Sequence, residues 1–139
     1  MATTFSTPDG TRLGYASRST RLFGQVIDGA VAAAPFIAAL LISSVSDALA
    51  GIATLLSFGW AVFYYFLADG LHDGQSVAKR WLAIRVVDAR TGAPCSFGQS
   101  FLRNLLLALL GPLDWIFIFG EQHQRLGDKA AGTIVIDAD

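Results

Sequence analysis

Asp28 carries the clearest chemical meaning in this chain. It stands inside a stretch from Leu22 to Val45 whose other polar residues are Gln25 and the serines at its end. A carboxylate placed in hydrocarbon costs roughly 2.5–3.5 kcal/mol on insertion scales, so it must face protein or water rather than lipid. Arg21 lies seven residues earlier, a spacing that returns to nearly the same face of a helix. The two are roughly 10 Å apart along the axis, within reach of a long guanidinium assisted by Gln25 or a water. The spacing therefore predicts an intramembrane charge pair between Arg21 and Asp28. Two roles stay open for it: an ion pair that fixes packing, or a carboxylate that takes up a proton or a small cation in low dielectric.

Other constellations are less specific. Asp69, His72 and Asp73 cluster at the end of a second apolar run, where a metal or proton role would suit them. No second ligand set has matching spacing, so solvated residues at a helix end are the simpler account. Asp114 interrupts a third apolar run, and His123 stands apart in sequence. No serine sits in a nucleophile elbow. Gly70-Leu71-His72-Asp73-Gly74 lacks the Lys-Ser/Thr that would make it a phosphate loop. Cys95 is the single cysteine, which excludes an intramolecular disulfide and a thiolate metal cluster. The expectation is a non-enzyme with no cofactor and no bound metal.

The elements that hold these residues follow from composition. The chain has 139 residues, 53% hydrophobic and only 15% charged, with a mean hydropathy of +0.51. Soluble domains carry about a quarter charged residues, so a membrane protein is the class indicated. A net charge of -1 gives no nucleic-acid footprint. From Ala48 to Ala68 no charge occurs, Asp47 and Asp69 bracket the run, and Trp60, Tyr64 and Tyr65 crowd its end as an aromatic belt would. The first run, with Thr20 or Ser19 as its N-cap, reads as a retained span and not a cleaved leader, because Asp28 interrupts it and a second span follows at once. The spans are expected at about residues 21–45 and 48–68. The third apolar region, about 99–119, is broken by Gly111-Pro112 and Asp114. A re-entrant or interfacial pair of half-helices fits it better than an unbroken span.

Arg12, Arg18 and Arg21 precede the first span. Lys79, Arg80, Arg85, Arg90 and Arg103 follow the second, and Ser43 to Asp47 has no basic residue. Positive-inside bias places both termini in the cytoplasm, and Lys79, Arg80, Arg85 and Arg90 are expected to meet anionic lipid headgroups. Residues 82–89 and 133–136 read as two short strands that pair, since neither can satisfy its backbone alone. Ser96 and Gln99 form a capping box that opens the next helix. The fold class is mainly α: a helical membrane protein with two transmembrane helices, a broken third segment and a small cytoplasmic two-stranded β element. Residues 1–19 form an N-terminal arm, 20–136 the membrane domain and 137–139 a tail. Gly29, Ala30, Ala33, Ala34 and Ala38 permit close helix approach, to the second span or to another copy.

Four blocks resemble the RDD family of small membrane proteins. They are Arg21-Leu-Phe-Gly-Gln-Val-Ile-Asp28, the run from Asp69 to Asp88, Ser100-Phe-Leu-Arg-Asn104, and Gln124-Arg125-Leu-Gly-Asp128-Lys-Ala-Ala-Gly-Thr-Ile-Val135. The resemblance covers about residues 20–136 with the blocks in order. It implies that Arg21, Asp28 and Asp128 are the arginine and two aspartates of the family name, with Asp114, Gln25, Asp69 and Arg125 as secondary candidates. The short third region departs from the pattern of many relatives. The resemblance implies a bacterial inner-membrane protein; transport has been proposed for the family and cation/proton antiport attributed to some members. The expected roles are thus a proton- or small-cation-coupled transport protein, working as a homo-oligomer or with a partner membrane protein, or else a non-catalytic scaffold or accessory subunit.

Overall fold

The structure, a computed structural model, describes residues 4–138. Met1 to Thr3 of the expected arm and Asp139 of the expected tail lie outside the described residues. The chain runs through strands β1 (Thr4–Ser6) and β2 (Arg12–Gly14), then helices α1 (Arg18–Ile42) and α2 (Asp47–Leu67), which ends in a 3-10 turn at Ala68–Gly70. A short helix α3 (Val77–Trp81) leads to β3 (Ile84–Asp88). Helices α4 (Phe97–Leu110) and α5 (Pro112–Ile116) follow, the latter extended by a 3-10 turn at Phe117–Phe119. Helix α6 (Leu126–Ala131) and β4 (Thr133–Asp137) complete the fold.

Helices α1 and α2 form an antiparallel pair, and both are long and apolar enough to cross a membrane. Their side chains point outward: Leu40 is 72% and Leu55 73% exposed, an arrangement that is stable only where the solvent is itself apolar. The α1 cap is Ser17, not Ser19 or Thr20. The Ser17 hydroxyl accepts the Thr20 N–H at 3.1 Å, because the backbone is still extended at Ser17 and already helical beyond it. Ser46 caps α2, and Asp47 in its first turn complements the helix dipole.

Pro35 lies inside α1, where it has no N–H to give the Val31 carbonyl one turn back. The Trp60 indole N–H of α2 donates to that carbonyl at 3.1 Å. A backbone acceptor exposed by proline inside an apolar medium is thus satisfied by the neighbouring helix. The Trp60 N–H and Tyr64 thus turn toward the helix pair; Tyr64 is fully buried, while Trp60 remains 39% exposed. Trp60→Phe is expected to destabilise the helix pair by about 1 kcal/mol, between the average for hydrogen bonds in membranes and the cost of an orphaned carbonyl. In a Pro35→Ala background, which restores the missing N–H, the same change should cost markedly less. Thermal unfolding of the four proteins in detergent measures the difference.

The third apolar region is broken as its sequence predicts. Its halves meet at 112°. Gly111 at the corner has φ of +55°, a region glycine enters freely, and Pro112 starts the next helix where its missing N–H is harmless. The segment leaves and returns on one side. Ser100 Oγ donates to the Phe66 carbonyl near the end of α2, and Arg18 Nε at the start of α1 donates to the Ile118 carbonyl at 3.2 Å.

At that same end sits the β structure. Strands β3 and β4 pair antiparallel from Ile84↔Asp137 to Asp88↔Thr133, close to the residues expected. Asp88 accepts the Arg90 and Thr91 N–H groups and so makes the turn that follows β3. The Ser96–Gln99 capping box opens α4. The arm is not featureless: β1 and β2 form a hairpin that joins the sheet through a Tyr15↔Ile136 bridge. One face of the sheet packs Ala16, Ile84, Val86, Cys95 and Val135, and the other packs Phe5, Val87, Ile134 and Ile136.

Candidate functional site

Where the helix ends meet the sheet, four buried carboxylates (Asp28, Asp69, Asp114 and Asp128) face four buried cations (Arg21, Lys79, Arg103 and Arg125). The group is formally neutral, as a set of charges removed from water must be. Asp128 is its hub. Its carboxylate meets Arg103 Nε at 2.6 Å, the Arg21 guanidinium and the Arg125 backbone N–H at 3.1 Å. Arg103 then reaches Asp69 through Nη1 at 2.6 Å, so one guanidinium bridges two carboxylates from different elements. Gly127 allows α6 to come this close to α4, since a Cβ there would strike the Arg103 carbonyl oxygen.

The Arg21–Asp28 pair expected from spacing does not form. Side chains on a helix lean toward its N-terminus, so Arg21 extends past the start of α1, away from Asp28, and reaches Asp128 and the His123 carbonyl. Asp28 is held by other groups. Tyr64 Oη donates to it at 2.6 Å, Ser76 Oγ at 2.6 Å and the Ala78 N–H at 3.2 Å. Its one cation is Lys79, whose Nζ lies 3.4 Å from Asp28 and 2.5 Å from Asp69. Lys79 is therefore shared unequally between two carboxylates, and it is buried in the cluster instead of meeting headgroups. Asp69 likewise departs from expectation: it is buried and doubly ion-paired, while His72 and Asp73 beside it are exposed.

Asp114 and Arg125 form the outer edge. Asp114 accepts the Gly127 N–H at 2.7 Å, with Arg125 Nε 3.6 Å away. The Arg125 guanidinium stacks over Trp115 at 5.4 Å. Gln25 joins Asp28, Asp69, Lys79, Tyr64 and Asn104 in lining a cavity of about 80 Å³. That is room for a few water molecules or a small ion. Among the described residues no three His, Cys, Asp or Glu side chains converge as a metal set. Burial pushes the Cys95 thiol up to about 11, which leaves it an inert core residue.

Lys79, Arg103, Tyr64 and Ser76 are the site residues that sequence reasoning did not single out. Arg103 had a readable signal, because it interrupts the apolar run of α4 as Asp28 interrupts that of α1.

Burial alone would raise the Asp128 carboxyl, but Arg103, Arg21 and Arg125 reverse this and hold it well below its ordinary value of 3.8. A depressed folded value contributes stability that is complete above the unfolded value and is lost as pH falls through the folded one. Thermal stability in detergent is accordingly expected to be insensitive to Asp128 above about pH 5 and to fall as the pH drops below about 4. Melting curves across that range test this.

The fold and site together define a small helical membrane protein with a neutral, buried charge cluster at one end of its spans. The sequence profile of the RDD family matches residues 15–132, and the chain belongs to that family. It is also similar to an uncharacterized protein of Haemophilus influenzae, 29% identical over 132 residues, covering 90% of this chain and 80% of the relative. No solved structure matches it.

Proposed function

We propose that this protein is a transport-related membrane protein, coupled to protons or a small cation, in which Asp28 is the exchange site. The observation that carries this reading is the contrast between Asp28 and Asp128. Asp128 is gripped by arginines, which never lose their charge and hold carboxylates through fixed, multiple donors. Asp28 has hydroxyl donors, one lysine at 3.4 Å, and a small cavity of mixed polar and apolar lining beside it. Lys79 can settle fully on Asp69, its nearer partner, and leave Asp28 to an incoming proton or cation without stranding a buried guanidinium.

Two spans cannot enclose a pathway, so the reading requires a homo-oligomer or a partner membrane protein. The basic residues on the sheet side and their absence from Ser43 to Asp47 support an inner-membrane orientation with both termini cytoplasmic. Exposed Arg80 and Arg90 remain free to meet anionic headgroups.

In proteoliposomes carrying a pH gradient, the parent is expected to exchange protons for sodium or potassium, and Asp28→Asn to reduce the flux to background. Background flux from the parent as well would remove this reading. It would leave the second one, a membrane scaffold, which the arginine lattice tying α1, α4 and α6 together favours.

A further inference from the structure

After the broken segment, the chain from Gly120 to Gln124 turns back toward α6 and borders an open cavity of about 310 Å³ at the surface. It is lined by Phe117, Gly120, Glu121, Gln122, Gln124 and Lys129. This volume falls at the lower end of the range of about 300–1,000 Å³ typical of small-molecule sites.

The charges on its walls are unusual. Glu121 and Lys129 are both exposed, and among the described residues neither has an ion-pair partner, not even each other. Two opposite charges lining one cavity without closing on each other complement a ligand that bears both signs. Gln124 adds a directed acceptor, because its amide N–H₂ is already committed to the Thr133 carbonyl at 2.7 Å.

The surroundings identify the rest of the ligand. Leu113, Ile116, Phe117 and Phe119 are exposed on the adjoining half-helix and turn, with the Lys129 ammonium over the Phe117 ring at 5.3 Å. Rings below and cations above is the arrangement found at the level of lipid headgroups. We infer that this cavity binds the headgroup of an aminophospholipid of the phosphatidylethanolamine type. Lys129 takes the phosphate, Glu121 and the Gln124 carbonyl oxygen take the primary ammonium, and the acyl chains lie along Ile116 and Phe117. A trimethylated choline headgroup has no N–H to donate to Glu121, and a glycerol headgroup has no cation for it.

The test is native mass spectrometry of the full chain in detergent with dioleoyl phosphatidylethanolamine, phosphatidylcholine and phosphatidylglycerol, whose tails are identical. Phosphatidylethanolamine is expected to bind the parent about tenfold more tightly than phosphatidylcholine, the worth of one charge-assisted hydrogen bond. Glu121→Gln should abolish that preference and leave phosphatidylglycerol binding unchanged, whereas Lys129→Gln should weaken all three. Both positions are exposed, so folding is not at stake. Equal affinities in the parent, or a preference that survives Glu121→Gln, would overturn the inference. Displacement of the lipid by free phosphoethanolamine at matched concentration would also overturn it, in favour of a soluble ligand.

Discussion

Asp128→Ala is expected to deprive the protein of most of its folded population. The change removes the carboxylate on which Arg21 and Arg103 converge and that Arg125 caps with its backbone N–H. Both guanidiniums stay charged and neither can reach water, since Arg21 and Arg103 are 7% and 1% exposed. Breaking a buried pair by deleting one partner costs about 3–5 kcal/mol, and here two guanidiniums lose a carboxylate at once, Arg103 keeping only Asp69 and Arg21 only the His123 carbonyl. Against a total stability of about 5–15 kcal/mol, that is enough to unfold a marginal domain. Size-exclusion profiles and melting curves in detergent should show aggregation or a large drop in the melting midpoint. A variant as stable as the parent would mean that the cluster is not what joins the sheet to the spans.

Arg103→Lys is the second large effect, and it keeps the charge. Arg103 uses Nε for Asp128 and Nη1 for Asp69, both at 2.6 Å, which a single ammonium on a flexible stem cannot reproduce. One of the two carboxylates would lose its arginine contact, leaving Asp69 to Lys79 or Asp128 to Arg21. The expected loss is about 2 kcal/mol, that of one buried charge-assisted hydrogen bond. Arg125→Lys provides the comparison. Its guanidinium is 3.6 Å from Asp114 and 3.9 Å from Asp128, so the same exchange there should cost only about 1 kcal/mol. Equal losses at the two positions would contradict the assignment of Arg103 as the bridge.

How far the sequence discloses this arrangement depends on the kind of signal each residue leaves. Asp28 is legible because a carboxylate in an apolar run has a cost that something must offset. Its partners are not, since Tyr64, Ser76 and Lys79 come from other elements and Lys79 lies in a polar stretch where a lysine draws no notice. Spacing placed Arg21 on the correct face, but side-chain direction along a helix decided which carboxylate it meets. Tyr64 fits an interfacial belt by position alone; Asp28 is what turns it inward, while Pro35 engages only the N–H of the exposed Trp60. The break at Gly111-Pro112 and the β3–β4 pairing were readable from local chemistry. The hairpin of β1 and β2 was not anticipated: its strands are only three residues each, with Asp9-Gly10 as the turn signal between them. Asp128 in an exposed-looking helix start carried no cost signal, and only the family resemblance pointed to it.

The division of the cluster into an arginine-locked part and an exchangeable end at Asp28 is tested most directly by difference infrared spectroscopy of the carboxyl region. The purified protein would be cycled between sodium-containing and sodium-free buffer, and then between two pH values. A single carboxyl signal that vanishes in Asp28→Asn and persists in Asp114→Asn is the predicted result. A signal that survives Asp28→Asn, or none in the parent, would contradict it.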